Sequence, residues 1–252
     1  ALYDLMGKKL GVPVYQLLGG KSRSHMTLYP VIPMEDPQVM AGMAAEYAGL
    51  GATCFKIKLG SDPVLDYERL KQISAAVGPD AELRLDINQG WQDADTAIKA
   101  IEAISEFSIE YVEQPVKDKD LEGMAAVTKA SKLPIMADES SHGPEDVYKI
   151  AEMKAADMIN IKLMKCGGIY QALKMLAVAE AAGLPCILGS MGETCIGSLA
   201  GLHFCLAQTS ITACELIGPQ FISNDPTTGY NIDMATFQTV YNEAPGLGAA
   251  LK

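Results

Sequence analysis

The chain has 252 residues, 49% of them hydrophobic, and a formal net charge of −11. That is enough apolar material for a large core, and roughly 250 residues is the usual size of one (β/α)8 barrel. The acidic balance argues against a nucleic-acid partner, which requires a basic face, but it admits an anionic substrate, because local charge at a site can oppose the global sign. No apolar run reaches the roughly 18 residues a membrane span needs, and no signal-peptide pattern is present, so no membrane partner and a cytoplasmic location are expected. Cys54, Cys166, Cys186, Cys195, Cys205 and Cys214 form no C-x-x-C pair and read as reduced core thiols.

Residues 1–20, "ALYDLMGKKLGVPVYQLLGG", read as an amphipathic helix and a second helical turn. There is no initiator Met, and the segment reads as the middle of a longer protein. From residue 21 onward, short β-rich runs alternate with helical patterns. The strand candidates are "TLYPVIP", "TCFKIKL", "ELRLDI", "IEYVEQ", "PIMADE", "DMINIKL", "PCILGS" and "TACELI". Between them lie segments such as "DPVLDYERLKQISAAVG" and "GGIYQALKMLAVAEAAG", with apolar residues at i, i+3, i+4 and i+7. Such alternation predicts a parallel α/β protein. Lys58, Asp86, Glu113, Asp138, Lys162, Gly189 and Glu215 recur near the strand ends at steps of roughly 24 to 28 residues. In a barrel such ends converge on one mouth, where active sites of that fold are built, so a barrel over 21–217 is favoured over an open sheet. Residues 218–252 read as turns and packing segments.

Three of those strand ends carry Asp86, Glu113 and Asp138. Converging carboxylates repel unless a cation holds them, and an all-oxygen set suits Mg²⁺, whereas zinc would call for His or Cys. Asn88 and Gln114 lie near enough in sequence to orient these ligands. Glu139 is expected to face away from the barrel axis. Lys56 and Lys58 share one strand face, where their ammonium groups repel. A neighbouring cation lowers a lysine pKa, so Lys56 is read as tuning Lys58, Lys58 as a base, and Lys162 as a base for the opposite face of the substrate. His203, in an apolar helix, is read as a packed residue, and Trp91 as either lining the mouth or packing.

These residues carry a resemblance. "FKIKLG", "LRLDINQGW", "YVEQP", "IMADES" and "NIKLMKCGG" resemble the muconate lactonizing enzyme subgroup of the enolase superfamily, over essentially the whole chain. The resemblance implies a modified (β/α)7β TIM-like barrel, Mg²⁺ on Asp86, Glu113 and Asp138, and acid/base lysines at Lys58 and Lys162. It also implies abstraction of a proton α to a carboxylate through a metal-stabilised enediolate, on a small-molecule carboxylate. Racemisation or epimerisation of amino-acid derivatives or dipeptides is the expected outcome. Cycloisomerisation of the muconate type, and dehydration or o-succinylbenzoate synthesis, are the alternatives. The family's N-terminal capping domain would precede residues 1–20, and homo-oligomers are expected. Where dipeptide epimerases carry Asp-x-Asp, this chain has "CELIGP", with Glu215 and Ile217, which is closer to the muconate pattern. Glu193 falls where the family places a substrate-facing acid. A helix N-terminal acid is the plainer reading of it. Outside the family, a Schiff-base lyase using Lys162 or a non-catalytic barrel would keep the fold, but neither needs the three acids.

Overall fold

The computed structural model describes residues 1–252. Eight strands form one parallel sheet in chain order: β1 (Val31–Ile32), β2 (Cys54–Lys58), β3 (Glu82–Asp86), β4 (Ile109–Glu113), β5 (Ile135–Ala137), β6 (Met158–Ile161), β7 (Cys186–Leu188) and β8 (Ile211–Cys214). Helices α1 (Leu2–Leu10) and α2 (Val14–Leu17) precede them. Between strands lie α3 (Pro37–Gly49), α4 (Pro63–Val77), α5 (Ala94–Ile104), α6 (Leu121–Ala130), α7 (Pro144–Met153), α8 (Leu163–Cys166), α9 (Ile169–Ala182) and α10 (Cys195–Ala207). No helix is long and apolar enough to cross a membrane.

The chain divides into two compact units. The first comprises Tyr29–Asn160 and Ala181–Leu184. Its strands are buried on both faces, as parallel strands flanked by helices must be: Phe55, Ile57, Leu83, Leu85, Val112 and Ile135 are all at most 1% exposed. Three helix starts are fixed by acids. Asp62 accepts from the backbone N–H groups of Val64 and Leu65, with Pro63 opening α4, and Asp93 and Asp120 cap α5 and α6 in the same way. The expected strand "TLYPVIP" shrinks to the two residues of β1. Pro30 and Pro33 flank them, and a proline has no N–H to extend the ladder.

The second unit comprises Ala1–Leu28, Ile161–Glu180 and Pro185–Lys252. His203, in α10, is fully buried here. Its ring stacks on Tyr15 at 5.4 Å between centroids, its Nδ1 accepts from the Tyr15 N–H, and its Nε2 lies 3.2 Å from the Leu247 carbonyl. The tail is more regular than turns alone. β10 (Tyr230–Asp233) and β11 (Gln238–Tyr241) form an antiparallel hairpin after β9 (Thr227–Thr228), and β12 (Ala250–Leu251) pairs with β9. All six cysteines are free thiols.

Candidate active site

In the first unit, the C-terminal ends of β2, β3 and β4 bring together opposite charges. Parallel register aligns Lys58 with Asp86 and Asp86 with Glu113. Lys56 and Lys58 point to the same face, as their spacing dictates, and both reach one carboxylate oxygen. Asp86 Oδ2 lies 2.6 Å from Lys58 Nζ and 3.2 Å from Lys56 Nζ. Lys56 Nζ also donates to Glu113 Oε2 at 2.6 Å. The repulsion between the two lysines is therefore answered by acids placed between them. Lys56 is 1% exposed, whereas the Lys58 side chain keeps 32% of its surface, so only Lys58 offers its ammonium to a solute. Burial pushes the Asp86 carboxyl up, but the Lys56 and Lys58 ammoniums outweigh it and hold Asp86 below the ordinary carboxylate range.

The remaining oxygens are held by amides. Asn88 N–H donates to Asp86 Oδ1, and Asn160 Nδ2 donates to Glu113 Oε1 at 2.8 Å. Asn88 Oδ1 accepts from Lys58 Nζ at 3.1 Å. Gln114, fully buried with φ +39°, crosslinks the ends of β4 and β5. Its Oε1 accepts from the Asp138 and Ser140 N–H groups, and its Nε2 donates to Ser140 Oγ and the Val116 carbonyl. Asp138 follows β5 directly and is 1% exposed. Glu139 does not turn away. The strand ends at Ala137, its strict alternation ends with it, and Glu139 Oε1 accepts from Asn88 Nδ2 at 3.1 Å. Asn160 escaped the sequence reading, although a polar residue inside the apolar run "MINI" was its signal. Trp91, left open by the sequence, packs: it is 2% exposed, and its Nε1 donates to Asp66.

In the second unit, Lys162 immediately follows β6 and is 7% exposed. It exerts its charge on Glu193, whose carboxyl burial raises above the usual range, while the Met191 N–H and the Lys162 charge pull it back. The loop carrying Glu193 packs on the end of β8, where a Cβ on Gly218 would fall 2.8 Å from Glu193 backbone atoms. Glu215 and Ile217 follow β8, 7% and 8% exposed.

Asp86, Glu113 and Asp138 suit a hard divalent cation. They are oxygen donors only, essentially fully buried, from the ends of three consecutive strands, and their three negative charges exceed the two positive charges of Lys56 and Lys58.

The chain is similar to known proteins in sequence and fold. A family model described as "Enolase C-terminal domain-like" matches residues 39–252. A hydrophobic dipeptide epimerase of Enterococcus faecalis is 44% identical over 249 residues, covering 98% of this chain and 70% of its own length. An N-succinyl-L-Arg/Lys racemase of Bacillus cereus is 38% identical, covering 98% of this chain and 66% of its own length. The chain thus spans about two thirds of these relatives. Among solved structures, the dipeptide epimerase of Enterococcus faecalis V583 complexed with Mg and the dipeptide L-Leu-L-Tyr superposes with a TM-score of 0.93 at 43% identity, covering 99% of this chain and 70% of that one. The fold is accordingly the α/β, TIM-like barrel type of these structures.

Proposed function

The chain belongs to the enolase C-terminal domain-like family of the enolase superfamily, and from that premise we propose that it is the barrel of a Mg²⁺-dependent isomerase that racemises or epimerises amino-acid derivatives or dipeptides. One observation carries the reading. A partly exposed lysine, Lys58, is held against Asp86 beside two further buried carboxylates, a costly arrangement that the fold does not require.

In this reading Asp86, Glu113 and Asp138 hold Mg²⁺. When bound, the cation supplies positive charge to the substrate carboxylate and so makes its α-proton more acidic. Lys58 takes that proton from one face of the α-carbon, and Lys162 returns one to the other face. The reverse direction exchanges the two roles. Lys56, paired with Glu113 and Asp86, offsets the repulsion between these acids and adds positive charge near Lys58. Asn88 and Gln114 orient the ligand-bearing strand ends. Glu193, Glu215 and Ile217 contact the remainder of the substrate. The barrel over 21–217, the 218–252 packing segment, a capping domain ahead of residues 1–20 and a homo-oligomeric assembly belong to the same proposal. A second reading, a muconate-type cycloisomerase, is favoured by Ile217, an apolar residue in the stretch where the dipeptide-epimerase pattern has a second acid.

The test uses the full-length protein with Mg²⁺ in D₂O. N-succinyl-L-arginine, L-Ala-L-Glu and L-Leu-L-Tyr are followed by NMR for deuterium at the α-carbon. Deuterium exchange and epimerisation that both disappear with chelator are expected, with epimerisation also lost in Lys58→Ala and in Lys162→Ala, each variant retaining exchange at most of the epimer that its remaining lysine faces. Epimerisation that survives either substitution would sink the two-lysine assignment.

A further inference from the structure

Asp66 is a fully buried acid in α4 that the chemistry above does not use. It takes five hydrogen bonds from three segments. Its Oδ2 accepts from the Gly60 N–H at 3.0 Å, the Ser61 N–H at 3.2 Å and Trp91 Nε1 at 3.0 Å. Its Oδ1 accepts from Ser61 Oγ at 3.3 Å and Arg69 Nη1 at 2.8 Å. Arg69 Nε in turn donates to the Glu35 carbonyl at 2.9 Å. One ion pair therefore ties the chain leaving β1 at Glu35, β2 at Gly60 and Ser61, and β3 at Trp91.

Backbone contact makes this clasp tight. Gly60 has φ +105°, and a Cβ there would fall 2.1 Å from the Ile87 carbonyl oxygen. A Cβ on Gly90 would fall 1.9 Å from the Gly60 carbonyl oxygen. Lys58 stands two residues before Gly60, and its partners Asp86 and Asn88 stand just before Gly90 and Trp91. None of the clasp's hydrogen bonds goes to Glu113, Asp138 or Asn160. Lys58 is also the more exposed of the two strand-end lysines, so packing on its own side chain does little to hold it.

We propose that Asp66, acting through the Gly60–Ser61 backbone and Trp91, is a positioning residue that sets where the Lys58 ammonium stands against Asp86 and Asn88. A purely structural ion pair would serve the whole fold evenly, and apolar residues can replace such a pair without loss of stability. A carboxylate that takes four donors from two loops and a fifth from Arg69, which itself holds the Glu35 carbonyl, instead fixes the mutual geometry of those loops, and small misplacements of a reacting group are costly in rate.

The proposal rests on the racemase reading above, and the experiment separates the two. Full-length protein with Mg²⁺ in D₂O is given each epimer separately: N-succinyl-L- and N-succinyl-D-arginine, and L-Ala-L-Glu and L-Ala-D-Glu. Lys58→Arg first identifies the epimer whose α-proton Lys58 removes. Trp91→Phe then deletes one donor to Asp66 and keeps the packing. Its α-exchange should slow about tenfold for that epimer and stay within about twofold for the other. Asp66→Asn should act in the same direction and more strongly. Equal slowing of both epimers in step with a falling melting temperature, or no slowing of either, overturns the proposal. If the wild type exchanges none of the probes, the racemase reading has failed, and a turnover-free readout decides the positioning. The lysines are labelled as ¹³C-dimethyl amines, and the Lys58 resonance is assigned by its loss in Lys58→Arg. A shifted or broadened Lys58 resonance in Trp91→Phe supports the clasp, and an unchanged one refutes it.

Discussion

The strands β2, β3 and β4 gather ionisable side chains at both ends, and the two ends obey different physics. At their C-terminal ends, Lys56, Asp86 and Glu113 are at most 1% exposed and share oxygens at 2.6 to 3.2 Å. At their N-terminal ends, Cys54, Glu82 and Glu110 offer ligand atoms within 4.8 Å of one another, but both acids are exposed. There Arg84 donates from Nε to Glu110 Oε2 at 2.5 Å and lays its guanidinium 4.2 Å from the Tyr29 ring centroid. Two acids near a thiol thus look like a cation site in composition and in distance, yet a resident arginine and solvent already satisfy them. The buried end has no such relief: each charge there depends on its neighbours or on a bound cation.

The sharpest way to break this contrast is to neutralise one acid at each end. Glu113→Gln should lower α-proton exchange at least about a thousandfold, because a ligand carboxylate is lost where charge develops. Mg²⁺ at a hundredfold above its dissociation constant should stabilise the wild type by about 2.7 kcal/mol, and Glu113→Gln should lose that stabilisation. Glu110→Gln should keep both properties. Melting curves with and without Mg²⁺ check this, and a Mg²⁺-dependent shift that vanishes in Glu110→Gln would reverse the assignment of the two ends.

A second comparison concerns stability without metal. Glu113→Leu leaves the Lys56 ammonium buried with its main partner gone and should cost about 3–5 kcal/mol. Lys56→Met combined with Glu113→Leu removes both charges and should recover most of that loss while remaining inactive. Urea unfolding in EDTA measures it. A double variant no more stable than Glu113→Leu would mean that shape, not charge, holds this end together.

Sequence alone could show the buried end because strand periodicity and chemistry coincide there. Lys58, Asp86 and Glu113 each close an apolar run, so their convergence follows once the runs are read as parallel strands. Asp66 was invisible for the opposite reason. In "LDYERL" it reads as one more polar residue on a helix, and nothing local says that Trp91 and Gly60 will fold onto it. Glu139 was misplaced because alternation was extended past the point where β5 stops. The β10–β11 hairpin was missed although "YNID" and "QTVY" alternate, because Asp233, accepting from the Ala235 N–H and Thr236 Oγ1, makes its turn without the usual Asn-Gly signal.

His203 supplies an intermediate case, a titratable group buried in its neutral form. Desolvation lowers its pKa below the ordinary 6.5, against a smaller upward pull from the Leu247 carbonyl. Its Nδ1 accepts from the Tyr15 N–H, so a proton there would turn an acceptor toward a donor. Between the lowered folded value and 6.5 the unfolded chain binds the extra proton. Stability is therefore fully present above about pH 6.5 and is lost as pH falls below it, by at most about 1.4 kcal/mol per pH unit. Melting temperatures from pH 7.5 to 5 should fall more steeply for the wild type than for His203→Gln. Parallel curves would remove His203 from the acid response.

The smallest effect belongs to the exposed end. Glu110 keeps 39% of its side-chain surface, and a glutamine in its place still offers an oxygen to Arg84 Nε. Arg84 would stay between Tyr29 and Tyr111, whose ring centroids lie 4.2 and 5.7 Å from the guanidinium carbon. Glu110→Gln should therefore cost no more than about 1 kcal/mol, and less at high salt, as solvent-screened pairs do. A loss of several kcal/mol, insensitive to salt, would show that Arg84 depends on Glu110 as Lys56 depends on Glu113. The two ends of these strands would then differ in exposure alone and not in how their charges are held.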